Sequence, residues 1–447
     1  MAPPIYIKEK VVRDESTRLK IIIVGAGLGG LGAAIACLLA GHDVDVLESA
    51  TQIGEVGAGI QILPNSCRVL THWGLKEALE QYATRPKQVN MLGWKGNIIS
   101  SMNFHEAAAE QYPGTSFWDF HRANLHMCLY NRTVELGGKV YVNSRVEDVR
   151  INDGGSTATA VLKNGTEHTA DLIVGADGIF STMREIMVGH PDPPTPTGDL
   201  AYRLLLSTKE MLKDPELASF VTDPQVNYWM GPDKHAVNYV LRGGELFNMV
   251  LLVPDDMPDG VTNITADVNE MCALFQDGWD PRIPKLLKLC ESVQKWKLCI
   301  RLGMDQWSHP SGAVTMLGDA VHATLPYLAS GAGMSLEDAA VLGECLSRIT
   351  DKSPASKQNA LSVYEECRAP RTKMVVQRGN LQQWLYHLHD GPDQEDRDRK
   401  MRMIPSPAGE ALAWRDPDLA PRLLGYDHLA DVDAHWSKEG SSTLARL

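Results

Sequence analysis

The residues best suited to chemistry lie in three glycine-rich turns. The first, Gly25-Ala-Gly27-Leu-Gly29-Gly30, follows a β-branched apolar run at 20–24 and opens a small-residue stretch at 30–40. Gly25 permits a tight turn, Gly27 lets backbone approach a pyrophosphate, and Gly30 lets a helix pack on the preceding strand, while the helix N-terminus attracts the anion. Glu48 closes the next alternating run, where such a unit carries an acid for the ribose hydroxyls of a nucleotide. A carboxylate there disfavours a 2′-phosphate, so the nucleotide is FAD or NAD rather than NADP. The plain alternative is a glycine turn that serves only the fold.

The second turn, Gly175-Ala-Asp177-Gly178, also follows an apolar run and is itself followed by Ser181 and Arg184. By itself it equally describes a solvated loop closing a strand. In the third, Gly318-Asp319 follows an apolar run, and Pro326 and Gly331-Ala332-Gly333 then lead into another helical pattern. Asp319 can accept hydrogen bonds from a polyol chain. Two separate helix N-termini suit a ligand with two polar ends, and the positive end of the second suits a ring that becomes anionic on reduction.

The chain must supply elements that bring these turns together. Its 447 residues, 44% hydrophobic, can bury a large core and make two interlocked domains. A net charge of −13 gives no electrostatic footprint for nucleic acid, so a small-molecule substrate is expected. Eight scattered cysteines without paired spacing argue for a reducing compartment, taken as cytoplasmic, and no structural zinc. The apolar stretch 21–40 is long enough to span a membrane, but its glycines suit a strand, turn and close-packed helix instead.

Alternating or apolar runs predict strands at 20–24, 42–48, 139–142, 144–151, 158–162, 171–174, 201–206, 235–241, 246–253 and 313–317. Helices are expected at 30–40, between Pro64 and Gly74, and at 123–135, 265–298, 335–349 and 361–388. Residues 1–18 read as a loose polar leader, 76–115 as short strands and loops, and the tail from 390 shows no assignable pattern. Asp153-Gly154-Gly155 and Asn164-Gly165 mark turns. His387-Leu-His389 reads as an exposed helix end, and Tyr228 and Trp229 as strand packing.

Together and in this order, the three turns resemble those of the class A, single-component FAD-dependent aromatic hydroxylases, in particular the salicylate hydroxylase-like branch, over residues 19 to 390. The resemblance implies an α/β fold: a Rossmann-like, p-hydroxybenzoate hydroxylase-like FAD-binding domain with an interleaved α+β substrate domain and C-terminal helices. Residues 19–75, 115–196 and 301–360 would form the first, 76–114 and 197–300 the second, and 361–447 the helical region. Gly25, Gly27, Gly30 and Glu48 would bind the adenosine and pyrophosphate end of FAD, Asp177 and Gly178 both FAD and the nicotinamide cofactor, and Gly318 and Asp319 the ribityl chain. Pro326 and Gly331, Ala332 and Gly333 would flank the isoalloxazine, and Arg122 matches an arginine that reaches FAD. The loop Gly54-Glu-Val-Gly57-Ala-Gly59-Ile60 matches a segment passing beside the ring, where backbone must come close. Ser330 departs from the family, in which many members carry Gln before the Gly-x-Gly.

For the substrate, the resemblance points to Arg203 and to Tyr239, which together could hold a phenolate or carboxylate by charge-assisted bonds. The plainer readings are a buried ion pair for Arg203 and a core tyrosine for Tyr239. No hydrolase, P-loop or metal-ligand pattern appears, so the cofactor should carry the reaction. By resemblance, NADH or NADPH reduces FAD, O2 adds at flavin C4a, and the resulting hydroperoxide hydroxylates a phenol or aromatic acid. A larger metabolite such as an indole alkaloid or polyketide phenol, hydroxylated with or without dearomatisation, is a second possibility, and a redox-sensing flavoprotein without oxygenation a third. No second GxGxxG unit is present, which favours a transient nicotinamide visit to the FAD groove. The protein is expected to be a monomer or homodimer without a membrane span.

Overall fold

The computed structural model describes residues 5–54, 58–152, 154–409 and 412–444. Glu55, Val56 and Gly57 of the expected ring-side loop, and Asp153 of one expected turn, lie outside the described residues.

A five-stranded parallel sheet runs in the order Val314–Met316, Leu172–Gly175, Lys20–Val24, Asp43–Leu47, Lys139–Tyr141. The register sets Val24 beside Gly175 and Gly175 beside Met316. All three glycine turns therefore leave the carboxyl edge of one sheet from adjacent strands, where ligands bind in open α/β sheets. The helix Leu28–Leu39 is buried on nearly every side. Its small residues allow this: a Cβ on Gly343 of the helix Gly331–Ser347 would lie 2.6 Å from the Ala36 Cβ.

An eight-stranded sheet is ordered Asn263–Ala266, Val293–Ile300, Thr195–Ser207, Leu246–Pro254, Lys234–Leu241, Gln225–Gly231, Gln88–Gly93, Ile98–Met102. Its pairing sets Arg203 beside Val250 and Val250 beside Val237, with Tyr228 opposite Val237. Because side chains alternate across a strand, Ala201, Arg203, Tyr228, His235, Val237, Tyr239, Val250 and Leu252 share one face. A two-stranded ribbon, Gly59–Ile62 with Trp118–His121, also reaches this side.

Several expectations are corrected. The stretch 265–298 is not one helix: Val268–Ala273 and Arg282–Leu287 are short helices, and Val293–Ile300 is a strand paired to Thr195–Ser207, its partly alternating residues claimed by the sheet. Helices Lys76–Glu80 and Phe104–Gln111 occupy the region expected to hold strands and loops, beside the strands Gln88–Gly93 and Ile98–Met102. The leader is tied down. Lys8 N–H donates to His72 O, and buried Arg13 donates to the carbonyls of Ala40 and Leu346, the second at a helix C-terminus whose last carbonyls need donors. Past 390, helices Pro392–Arg402, Ala420–Leu424 and His428–Leu444 form, and Trp414, Leu423, Leu424 and Val432 are buried. Among the described residues, no helix is long and apolar enough to cross a membrane.

Candidate active site

Two cavities join along the carboxyl edge of the parallel sheet. The one toward the eight-stranded sheet is lined by Gly27, Gly29, Gly178, Gly318, Asp319, Gly331 and Ala332 on one side and by Arg203, His235 and Tyr239 on the other. The second is lined by Gly25, Glu48, Ser144, Arg145 and Asp177. Both include Gly27, Ala176 and Gly178, so they form one elongated groove.

The glycines divide by what they permit. A Cβ on Gly30 would fall 2.0 Å from the Gly25 carbonyl oxygen, so the helix could not start this close to the strand. Gly25 has φ +103°, and a Cβ there would lie 2.5 Å from Ala176 O. A Cβ on Gly27 would meet nothing within 4 Å, so its bare backbone faces the open groove. Gly27 caps the helix Leu28–Leu39 without a side-chain cap or a first-turn acid, leaving amide donors for an anion.

Glu48 accepts from Ala26 N at 2.7 Å and from Ala50 N at 2.7 Å, which aims its carboxylate at the groove's far end. Asp177 accepts from Ser181 Oγ at 2.5 Å and Met183 N at 3.0 Å, and burial pushes its carboxyl above the usual range against those bonds. Asp319 is exposed in the groove wall. Pro326 lines the same wall. At the second helix N-terminus, Ser330 Oγ donates to Leu328 O at 2.9 Å instead of capping, and no acid stands in the first turn. The amides of Gly331 and Ala332 are thus available to a ligand oxygen. Gly333 is placed differently, turned to the helix Pro64–His72, where a Cβ would lie 3.3 Å from Ser66 Oγ. The groove offers an anion-binding backbone, an acid at one end and a helix N-terminus at the other, a donor set that fits FAD.

Beneath the third turn lies a buried charge network not anticipated in the sequence. Asp338 accepts from Gly318 N at 2.9 Å, His322 Nε2 at 2.5 Å and Arg368 Nε at 2.7 Å. Glu337 accepts from Arg368 Nη2 at 2.8 Å, Arg371 Nε at 2.7 Å and Asn65 Nδ2 at 2.7 Å. Burial opposes ionisation, but His322 and Arg368 bring the Asp338 carboxyl down to about 2. The turn that carries Asp319 is therefore held by a group 20 residues further on.

Across the groove, Arg203 stands in the cavity wall with its guanidinium 5.4 Å from the Trp296 ring centroid. Burial and the nearby Arg122 weaken its hold on a proton, and Tyr239 acts in the opposite direction. Among the described residues no carboxylate pairs with it. Burial and Asp119 push the Tyr239 phenol up, against Arg203, so Tyr239 presents an O–H at neutral pH. The requirement for glycine at 59 comes from this tyrosine: a Cβ would lie 2.4 Å from Tyr239 Cε2 and 2.7 Å from Asn248 Cγ. Asn248 Oδ1 accepts the Gly59 N–H at 2.8 Å and is a site residue missed in the sequence, though its position on the alternating run 246–253 marks its face. Tyr228 is corrected from strand packing to cavity wall, whereas Trp229 points away and bonds Asp280 at 2.8 Å.

Asp119 lies beneath this floor, accepting from Gln61 Nε2 at 2.9 Å, with its other oxygen unpartnered among the described residues. Burial holds its carboxyl well above the usual range, and only the Gln61 bond opposes this. An aspartate raised in the fold makes stability fall as pH climbs above the unfolded value of about 3.9. Asp119→Asn keeps the acceptor for Gln61 and removes this loss. It should therefore be more stable than the parent by about 1 kcal/mol or more at pH 7.5, with the gap closing toward pH 4, in urea unfolding at several pH values. A variant that loses ground as pH rises would show that the carboxyl is ionised in the fold.

These features define a flavin-binding α/β enzyme, and the chain belongs to the FAD binding domain family, whose model matches residues 18–379. It is 40% identical over 424 residues to the FAD-dependent monooxygenase OpS4 of Beauveria bassiana (strain ARSEF 2860), covering 93% of this chain and 97% of that one. It is 34% identical to a 3-amino-4-hydroxybenzoate 2-monooxygenase of Streptomyces cremeus, covering 93% and 98%. Its fold matches that of a salicylate hydroxylase substrate complex with a TM-score of 0.75, at 22% identity and covering 94% and 98% of the two chains. The chain is an FAD-dependent monooxygenase.

Proposed function

We propose that the protein hydroxylates a phenol that carries an acidic group, using NADH or NADPH and O2. The observation that carries this is Arg203: a cation in the cavity wall, opposite the helix N-terminus at Gly331, without a carboxylate partner among the described residues. A substrate carboxylate or phenolate would supply that partner. Relatives named for hydroxybenzoate substrates support the class.

In this reading Gly25, Gly27 and Gly30 shape the pyrophosphate site, Glu48 holds the ribose, and Asp177 and Gly178 line the shared passage. Arg122 and Asp319 meet the middle of the cofactor, and Pro326, Gly331 and Ala332 border its ring, with Gly333 packed behind them against the helix Pro64–His72. The backbone of Gly59 borders the same space. When bound, reduced FAD supplies oxygen activated from O2 for transfer to an electron-rich ring. The chain's own work is to orient and electronically prepare that ring. Arg203 fixes the anionic group, and the Tyr239 hydroxyl donates to an oxygen of the substrate. Tyr228, Val237, Val250 and Leu252 keep the chamber apolar and exclude water.

A panel of hydroxybenzoates, phenols and indoles, screened for accelerated NADH or NADPH oxidation with products identified by mass, tests the proposal. Oxygenated hydroxybenzoates are expected. Acceleration confined to large indoles, or oxidation that yields only hydrogen peroxide, would overturn it.

A further inference from the structure

The strand that carries Arg203, Thr195–Ser207, pairs with Val293–Ile300 so that Gln294 lies directly opposite Arg203 and Trp296 opposite Ala201. Side chains alternate across each strand, so Ala201, Arg203, Gln294 and Trp296 share the face turned to the cavity. The neighbouring acids go to the other face. There Glu270 accepts from the Tyr202 hydroxyl at 2.9 Å and from Lys295 Nζ at 2.7 Å, and Asp256 meets Lys295 Nζ at 2.6 Å. On the cavity face, Gln294 gives its Nε2 to Thr265 Oγ1 at 3.0 Å, and the Trp296 ring takes the guanidinium at 5.4 Å. The charged and titratable groups that bear on Arg203 are Arg122 and Tyr239, with no carboxylate among them. His235 also lines the cavity, but its Nδ1 is engaged by His387 Nε2 at 2.7 Å, a buried contact that corrects the exposed helix end expected at 387.

We propose that Trp296 sets the preference of this site for anionic phenols by holding the Arg203 guanidinium in place against the cavity, a role that rests on the acidic-phenol reading above. A buried cation needs a partner. A carboxylate would satisfy it, but would also neutralise the charge and occupy the N–H edge that a substrate anion requires. An aromatic face attracts the cation through its quadrupole and directs no lone pair at that edge. The charge is thereby stabilised while its donors remain available to the cavity. Arg203 lines the cavity and Trp296 does not, so the ring acts on a substrate only through the guanidinium. Trp296 is a positioning residue.

Its contribution to binding is one of arrangement. The ring is present in the empty and the occupied site, so its attraction to the cation largely cancels between them. What it changes is the fraction of enzyme in which a long, rotatable side chain already lies against the cavity wall. When the ring is lost, the affinity for an anion falls by that fraction. A neutral phenol draws little from the guanidinium charge and is affected little.

The test measures dissociation constants of the full-length, FAD-loaded enzyme for 4-hydroxybenzoate and for 4-hydroxybenzamide, a neutral molecule of similar shape, from the change each makes in the flavin absorption spectrum. The parent should bind the acid much more tightly than the amide. In Trp296→Leu the acid should weaken by about 10-fold, the scale of a desolvated cation–ring contact, with amide affinity and FAD content unchanged. Trp296→Phe keeps a ring and should keep most of the preference, whereas Trp296→Glu ties up the guanidinium and should abolish it. In an Arg203→Gln background, Trp296→Leu should leave the acid-to-amide ratio where it stands. If Trp296→Leu loses FAD, Trp296→Met, which fills more of the space without a ring, carries the same comparison. A parental ratio in these variants, or equal weakening of both ligands, would overturn the role of Trp296 and leave the substrate class standing. If the parent binds neither ligand, or the amide as tightly as the acid, the acidic-phenol reading falls and the role of Trp296 falls with it.

Discussion

Arg368→Ala should cost about 3–5 kcal/mol of stability and most of the FAD retained on purification, as removing one member of a buried ion cluster leaves uncompensated charge. The side chain is fully buried and holds Asp338 at 2.7 Å and Glu337 at 2.8 Å, so its removal takes one of two cationic partners from each acid and leaves Asp338 to His322 and Glu337 to Arg371. The effect reaches the cofactor groove because Asp338 also holds Gly318 N–H. The pH dependence gives the signature. In the parent, Asp338 is depressed to about 2, so its contribution is complete above the unfolded value of about 3.9 and is lost as pH falls through 2. Without Arg368 each carboxyl loses one of the cations that offset its burial, so ionisation in the fold becomes harder and the variant gains less than the parent as pH rises. The stability gap between parent and variant should therefore be widest near pH 7 and narrow toward pH 4.5 in urea unfolding. A uniform gap at all pH values would mean that lost packing, not charge, is responsible.

The second large effect concerns the substrate. Arg203→Gln should lower kcat/KM for an acidic phenol by about 10²–10³-fold, the scale of truncating a desolvated charge pair, while FAD content stays near that of the parent. The separation is expected because the guanidinium meets the cavity and the Trp296 ring and is not bonded to the glycine turns. Uncharged phenols should suffer much less. Equal losses of flavin and turnover would assign Arg203 to the fold.

Much of the flavin site was legible because its devices are local. Gly25, Gly27 and Gly30 announce a strand, a positive-φ turn and a helix start within a few residues, and Asp177 and Asp319 each follow a strand and a glycine. Steric demands on backbone are written over such short spans. Gly59 was expected to pass beside the flavin ring by resemblance, whereas the groups that crowd its backbone in the fold, Tyr239 and Asn248, were not foreseen. The segment 265–298 misled because short helices and a strand with a half-buried pattern follow one another without strong turn signals, and sheet pairing decided the last part.

The sequence by itself thus pointed to a dinucleotide-type groove and its chemical ends, and its resemblance to a family pointed to Arg203 and Tyr239, which line the cavity in the fold. Only the tertiary structure decided that Asp338 anchors the Gly318 turn, that Asn248 braces Gly59, and that His387 meets His235 across 152 residues of chain. The physical reason is range. Backbone turns and helix ends are governed by neighbouring residues, whereas a buried hydrogen bond between distant segments exists only once sheet register and helix packing have placed both partners.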